Sequence, residues 1–348
     1  MIKNFKIIGL SAMLMTVVIG VSSCSGDDDY APEMRDGAIA FGAVVPKPTK
    51  AASTTTTSIN DFMVYAFTAG KPYMDGVKVV RNGSQWGYSP VAYWPNTAVN
   101  FYAYSPEISN QPIMADSDCN INDYTSSGQT DLLYAVNIGE TAKASPVLMN
   151  FRHALSRVDV MLSSDNPDIV IKVAHVSLTN LNVSGSFKFP NATTSAALPY
   201  NVGAWSGLKQ KTSPIVYYSM EESDFATLTK TPVNLTENNL EVSFFIPQAL
   251  ADLVYDNPGY SGNAIQIDCQ IFDAKTGAKI WPNSATPADQ LVDQTTCGKL
   301  MYPVTTAAVK EWEIGHAYVY NVKIDNPEAL HPIEFDVTVE DFTLEPTE

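Results

Sequence analysis

The chain has 348 residues, a formal charge of −16 and a pI near 4.6, a balance that argues against nucleic acid or anionic lipid as partners, since both need a basic footprint. Only 17% of residues are charged, while Thr, Ser, Asn, Val and Tyr are plentiful, which favours β-structure with a polar, weakly charged surface.

Lys3 and Lys6 precede an apolar run from Ile7 to Val21, which ends at Ser22-Ser23-Cys24. That is the layout of a bacterial secretory signal, with an h-region too short for a transmembrane helix. Small residues before a cysteine suit a lipoprotein signal peptidase, so Cys24 is expected to carry diacylglycerol on sulfur and to become the mature N-terminus. Residues 1–23 are then the signal peptide, and 24–37, with Asp27, Asp28 and Asp29, an acidic tether. A Cys followed closely by acidic residues also resembles the surface-export signal of lipoproteins in Bacteroidetes-type bacteria. The expected location is the outer membrane, lipid-anchored and surface exposed. No later apolar run is long enough to span a bilayer.

Ala38 to Val45 reads as a strand with small, weakly packing residues. Pro46 to Lys50 stops it, and the Ser/Thr tract to Ser58 is an expected exposed loop, where proteases cut. Lys50, followed by Ala51, is a good trypsin-like site; Lys47 precedes Pro48 and is a poor one. Phe62 to Phe67 is a strand. Val77–Val80 and Gln85–Tyr88 form a hairpin through Asn82-Gly83. An aromatic-dense pair, Tyr93-Trp94-Pro95 and Val99 to Pro106, follows. Ser105 to Thr130 reads as polar and irregular. Leu132–Val136 and Pro146–Phe151 are short strands.

Alternation is clean in Leu155, Val158, Val160 and Leu162, and again from Ile169 to Leu181. Asn182 to Lys188 is expected to turn through Gly185, and Thr305 to Trp312 to make one or two helical turns. Leu240–Ile246, Ala264–Phe272, Ala278–Trp281 and Tyr318–Ile324 are strands. The last, Ile333 to Val339, places Ile333, Phe335, Val337 and Val339 on one face. Many short strands with turn signals between them predict an all-β protein of two tandem β-sandwich domains, 38–148 and 149–348, with the boundary near Ser145 to Asn150.

The chemistry is sparse. The four histidines lack partners at metal-ligand spacing, and no GxSxG, P-loop or GxGxxG occurs, so no catalytic, cofactor or metal residue is assigned and an enzyme is not expected. With Cys24 lipidated, Cys119, Cys269 and Cys297 allow at most one disulfide, and buried free thiols are the expected state. Tyr93, Trp94, Phe101, Tyr102 and Tyr104 read as core with amphipathic rim residues, or else as a sugar-stacking platform.

Several stretches together resemble the fimbrillin family of Bacteroidales, the subunits and anchors of lipoprotein-derived (type V) pili. They are the lipobox at Cys24, Tyr93-Trp94-Pro95 with Val99 to Pro106, Phe151-Arg152-His153-Ala154-Leu155-Ser156-Arg157-Val158, Phe245-Ile246-Pro247-Gln248, Trp312 to Tyr320, and Ile333 to Phe342. The resemblance implies two β-sandwich domains, the first transthyretin-like. It implies that a trypsin-like protease removes the lipid-bearing segment with the first strand, and that the open groove accepts a strand from a neighbouring subunit. Thr49-Lys50-Ala51 matches the place of cleavage, with Lys where Arg is usual. Ile39, Phe41 and Val44 mark the displaced strand. Ile333, Phe335, Val337 and Val339 mark either the donor strand or an ordinary final strand of the second domain. The expected partners are other fimbrillin subunits, outer-membrane lipid through Cys24, and a host protein or glycan. The rival reading is a lipid-anchored glycan- or host-binding protein, or an uncleaved anchor.

Overall fold

Runs of Val, Ile, Tyr and Phe broken every few residues by Gly, Pro or Asn leave the chain little choice but short strands, and the computed structural model is all-β. It describes residues 37–45, 58–110, 112–195, 200–235, 243–256, 259–292, 296–325 and 334–341. The first ten strands are β1 (Phe41–Val44), β2 (Asp61–Thr68), β3 (Lys71–Asn82), β4 (Gln85–Gly87), β5 (Val99–Ser105), β6 (Ile113–Ala115), β7 (Asp118–Thr125), β8 (Leu133–Glu140), β9 (Val147–Asn150) and β10 (Arg152–His153). Then come β11 (Ser156–Ser163), β12 (Ile169–Thr179), β13 (Asn182–Lys188), β14 (Ala204–Gln210), β15 (Ile215–Ser219), β16 (Ala264–Asp273), β17 (Lys279–Trp281), β18 (Gly298–Pro303), β19 (His316–Lys323) and β20 (Glu334–Asp341). Two-residue strands lie between β15 and β16 and before β19.

A central sheet has the order β10-β8-β5-β2-β3-β4, and its middle strands β8, β5 and β2 are buried on both faces. Phe62, Val64 and Ala66 of β2, with Phe101 of β5 and Ala135 of β8, face one core. Met63, Tyr65 and Phe67, with Tyr102, Tyr104, Tyr134 and Val136, face another. Two-sided burial is why Phe62 to Phe67 is a continuous apolar run and not an alternating one. The first core is closed by β1 and β9, which pair in parallel. The second is closed by a sheet in the order β14-β13-β7-β6. That sheet joins strands from either side of position 148: Ser184 pairs with Thr125 and Gly185 with Tyr124. A third core lies between two further sheets. One is built on β11, β19 and β20, and the other on β15, β12, β16, β17 and β18.

Three local expectations are corrected. Within Ser105 to Thr130 lie β6 and β7, short and partly exposed strands whose polar residues hid them. Asn182 to Lys188 is a strand, with Gly185 leaving room where Leu208 crosses: a Cβ there would lie 2.7 Å from Leu208 Cδ2. Thr305 to Trp312 contains no helix; it runs through bends into a two-residue strand, Glu311–Trp312, paired to Gln248–Ala249.

Candidate functional site

The site is the seat of β1. Its inward residues, Ile39, Phe41, Ala43 and Val45, belong to the core beneath the central sheet, and Ala43 is the least covered of them at 9% exposure. Phe41 sits among three rings, with centroids 5.6 Å from Phe101, 6.1 Å from Phe62 and 5.4 Å from Tyr88. Ala40, Gly42 and Val44 are half-buried on the other face. Of the residues expected to define this strand, Ile39 and Phe41 therefore point inward and Val44 alternates with them, the inward places beyond Phe41 falling to Ala43 and Val45.

Two rails hold the backbone of β1. On one side, Phe41 to Val44 run parallel to Val147 to Asn150, and the N–H groups of Val147 and Phe151 donate to the carbonyls of Ala40 and Val44 at 2.8 Å. On the other side, among the described residues, lies a short bridge, Ala38 to Tyr93, in which Ile39 N–H donates to Ala92 O and Trp94 N–H to Gly37 O. Tyr88 closes this end by donating its hydroxyl to Ile39 O at 2.7 Å, and burial pushes its phenol up to about 12, so it stays a donor at any ordinary pH. The rail at Ala92 to Trp94 was not legible in the sequence, because bridges formed by isolated residues carry no periodic signal.

Position 151 onward is a clamp between the cores. Phe151 enters the same core as β1. Arg152 donates to the carbonyls of Asn201 and Ser195, and His153 Nδ1 lies 2.9 Å from buried Asp131. Ser156 Oγ donates to Glu313 O at 2.8 Å. Arg157 Nε is 3.1 Å from Asp159 in a buried ion pair. Gln248 mimics a strand partner: its side-chain carbonyl accepts from Asn182 N–H at 2.8 Å and its amide donates to Asn182 O. Trp312 Nε1 donates to Tyr320 OH, which donates to Val304 O. These stretches hold sheets together.

The aromatic cluster resolves as core. Phe101 faces one core while Tyr102 and Tyr104 face the other, Trp94 packs on Phe101, and of the five only Tyr93 is exposed, at 42%. A sugar-stacking platform across these five residues is thereby overturned, because the strand's alternation sends neighbouring rings to opposite faces. Cys119, Cys269 and Cys297 are free and buried, as expected. Burial pushes the Cys119 thiol up to about 12, which makes it inert. Among the described residues no group of three or more His, Cys, Asp or Glu is placed to hold a metal ion.

Cys24, Lys50, Ala51 and Ile333 lie outside the described residues. Phe335, Val337 and Val339 lie on β20, which pairs antiparallel with β19 from Lys323–Glu334 to His316–Asp341. In this state the C-terminal segment is the final strand of its own sheet.

Stacked β-sheets with an N-terminal strand seated in one core define an all-β protein of layered sheets. Residues 49–341 match the family described as Fimbrillin-like, and the chain belongs to that family. No curated protein matches it. Its fold is similar to that of a fimbrial protein from Bacteroides vulgatus (15% identity, 87% of this chain and 99% of the other, TM-score 0.51). It is equally similar to a protein of Bacteroides uniformis described as a candidate in cell adhesion (16% identity, 88% and 100% covered, TM-score 0.50).

Proposed function

We propose that the chain is a structural subunit of a lipoprotein-derived surface pilus that mediates adhesion. It reaches the outer membrane on Cys24, loses its N-terminal segment by cleavage between Lys50 and Ala51, and polymerises by accepting a neighbour's strand where β1 had been. The observation that carries this reading is the seating of β1. It fills the middle of a core, yet among the described residues its strand pairing is with β9, over four residues, and it meets the other rail at the Ala38–Tyr93 bridge. Such a strand can leave without unravelling the central sheet. What it leaves is an apolar slot flanked by unpaired N–H and C=O groups, which only another strand satisfies well. The Fimbrillin-like match, which begins at residue 49, supports the reading, as does the likeness to a fimbrial protein. The division into domains 38–148 and 149–348 is part of the same proposal, with β13 and β14 completing the first unit's second core from the far side of the boundary.

Limited digestion of the purified lipid-free precursor with a lysine-specific protease tests it. The expected product begins at Ala51 and forms ladders that survive mild detergent. A product that begins there and stays monomeric, alone and with other fimbrillin subunits, contradicts polymerisation and leaves the anchor.

A further inference from the structure

Between β15 and β16 the chain makes a small hairpin in which Val254–Tyr255 pairs with Tyr260–Ser261. Tyr255 and Tyr260 are direct cross-strand partners, so their side chains stand on one face, with ring centroids 5.2 Å apart and planes at 54°. Neither belongs to any of the three cores: Tyr255 is 53% exposed and Tyr260 half-buried. Two rings side by side in water mark a contact surface, where a single exposed ring would not.

The base of the hairpin is fixed. Asn263 is buried; its backbone N–H donates to Ala251 O at 3.0 Å, and its side-chain oxygen accepts from Ala251 N–H at 2.6 Å. Its amide donates to Asn180 O at 2.7 Å, and the Asn180 amide donates to Gly262 O at 2.6 Å. Gly262, at φ +86°, passes so near Asp252 that a Cβ would lie 2.0 Å from the Asp252 carbonyl oxygen, so only glycine fits. The rings are thus carried on a base tied to the residue after β12, which lowers the ordering cost of binding.

A short turn, Ala288–Gln290, supplies polar groups beside the rings. Tyr255 donates its hydroxyl to Asp289, which raises its phenol above the ordinary range; burial and then the charge of Asp289 do the same for Tyr260. Asp289 Oδ2 and Gln290 Oε1 are covered and, among the described residues, accept no hydrogen bond. Covered acceptors without a donor are unfavourable, so the turn favours a ligand that brings donors.

We propose that this shelf binds a neutral saccharide: the C–H face of one sugar ring lies on Tyr255 and Tyr260, and two of its hydroxyls donate to Asp289 and Gln290. A sugar has both parts, an apolar face about as wide as an aromatic ring and donors around its rim. The carboxylate of Asp289 accepts and does not donate, and it repels sialylated or sulfated sugars. Acceptors on successive residues suit neighbouring hydroxyls, whereas an ammonium group would gain little from one carboxylate at an exposed surface. As the sugar docks, the exposed Tyr255 ring shifts to stack on it, and Asp289 exchanges the phenol's hydrogen bond for a sugar hydroxyl's. None of these residues seats β1, so the surface is present before and after cleavage. The inference deepens the adhesive part of the reading above and is independent of strand exchange.

Binding of the purified lipid-free precursor to an array tests it. The array holds neutral oligosaccharides of hexose, N-acetylhexosamine and 6-deoxyhexose, their sialylated and sulfated counterparts, and lysine-rich peptides. Neutral glycans are expected to bind. Calorimetry with the strongest of them should show about a tenfold loss for Tyr255→Ala, for Tyr260→Ala and for Asp289→Ala. Tyr255→Ala removes an exposed ring and should melt with the wild type. Tyr255→Phe keeps the ring and frees the carboxylate, so it should bind at least as tightly as the wild type. Tyr200→Ala, at a ring 73% exposed on the segment held by Arg152, should change nothing. Neutral-glycan binding that survives Tyr255→Ala and Tyr260→Ala overturns the site. Binding only to sialylated or sulfated glycans, or only to the peptides, overturns the ligand class. No binding at all overturns the inference, while ladder formation after cleavage, read separately by the digestion above, stands or falls by itself.

Discussion

Phe41 is the residue on which the uncleaved chain depends most at this site. It fills a socket of three rings, and truncating it to Ala is expected to cost the precursor about 3–5 kcal/mol, read by denaturant unfolding. On the proposed cleavage residue 41 leaves with the N-terminal segment, so the polymer should be indifferent to Phe41→Ala. Tyr88 acts through its hydroxyl. Tyr88→Phe leaves Ile39 O without its donor and should cost the precursor about 1 kcal/mol. It should also remove one part of alkaline loosening. The folded phenol is raised from 10.0 to about 12, so the bond's contribution is whole below pH 10 and is lost as pH rises toward the folded value. The difference between wild-type and Tyr88→Phe unfolding curves should therefore shrink above pH 10; a constant difference would place Tyr88 outside the linkage.

At the scale of elements, the proposed release turns on the short hold on β1 and on cleavage after Lys50. Lys50→Gln should block release of β1, leave the precursor as stable as the wild type, and abolish ladders after digestion with a lysine-specific protease. N-terminal sequencing of the digest reads the outcome. Much of this element was legible in the sequence. Val and Tyr runs marked most strands, and Ile39, Phe41 and Val44 marked β1, though not which of its faces points inward. Other parts were not legible, for reasons that are physical. β7 and β13 carry Asp, Asn and Ser on exposed faces, so their pairing is written in tertiary contacts and not in alternation. Alternation from Phe41 falters at Gly42-Ala43-Val44-Val45, where four small or similar residues hide which face is inward. Neither Ala92 nor Tyr93 announces a rail, since a single bridge has no period. The clamp from Phe151 to Arg157 could be read as a fold signature, but not the partners it reaches, such as Glu313, over 150 residues away.

For the whole molecule, β1 matters out of proportion to its length. Burying Ile39, Phe41, Ala43 and Val45 is worth about 5–9 kcal/mol at ordinary side-chain values, comparable to the roughly 5–15 kcal/mol that holds a whole domain folded. The cleaved, unpartnered subunit is therefore expected to be metastable, with a melting temperature well below the precursor's. A saturating peptide with the sequence of β1, residues 37–45, should restore most of the loss, and a cleaved chain that melts with the precursor would show that β1 contributes little. In the proposed assembly such metastability gives direction, because cleavage is not reversed and an arriving strand satisfies a slot that water cannot. The most direct test is the intact mass and N-terminal sequence of the protein sheared from cells. A chain that begins at Ala51, found in ladders resistant to mild detergent, is the result predicted here. A monomeric chain that still begins at lipidated Cys24 would contradict it.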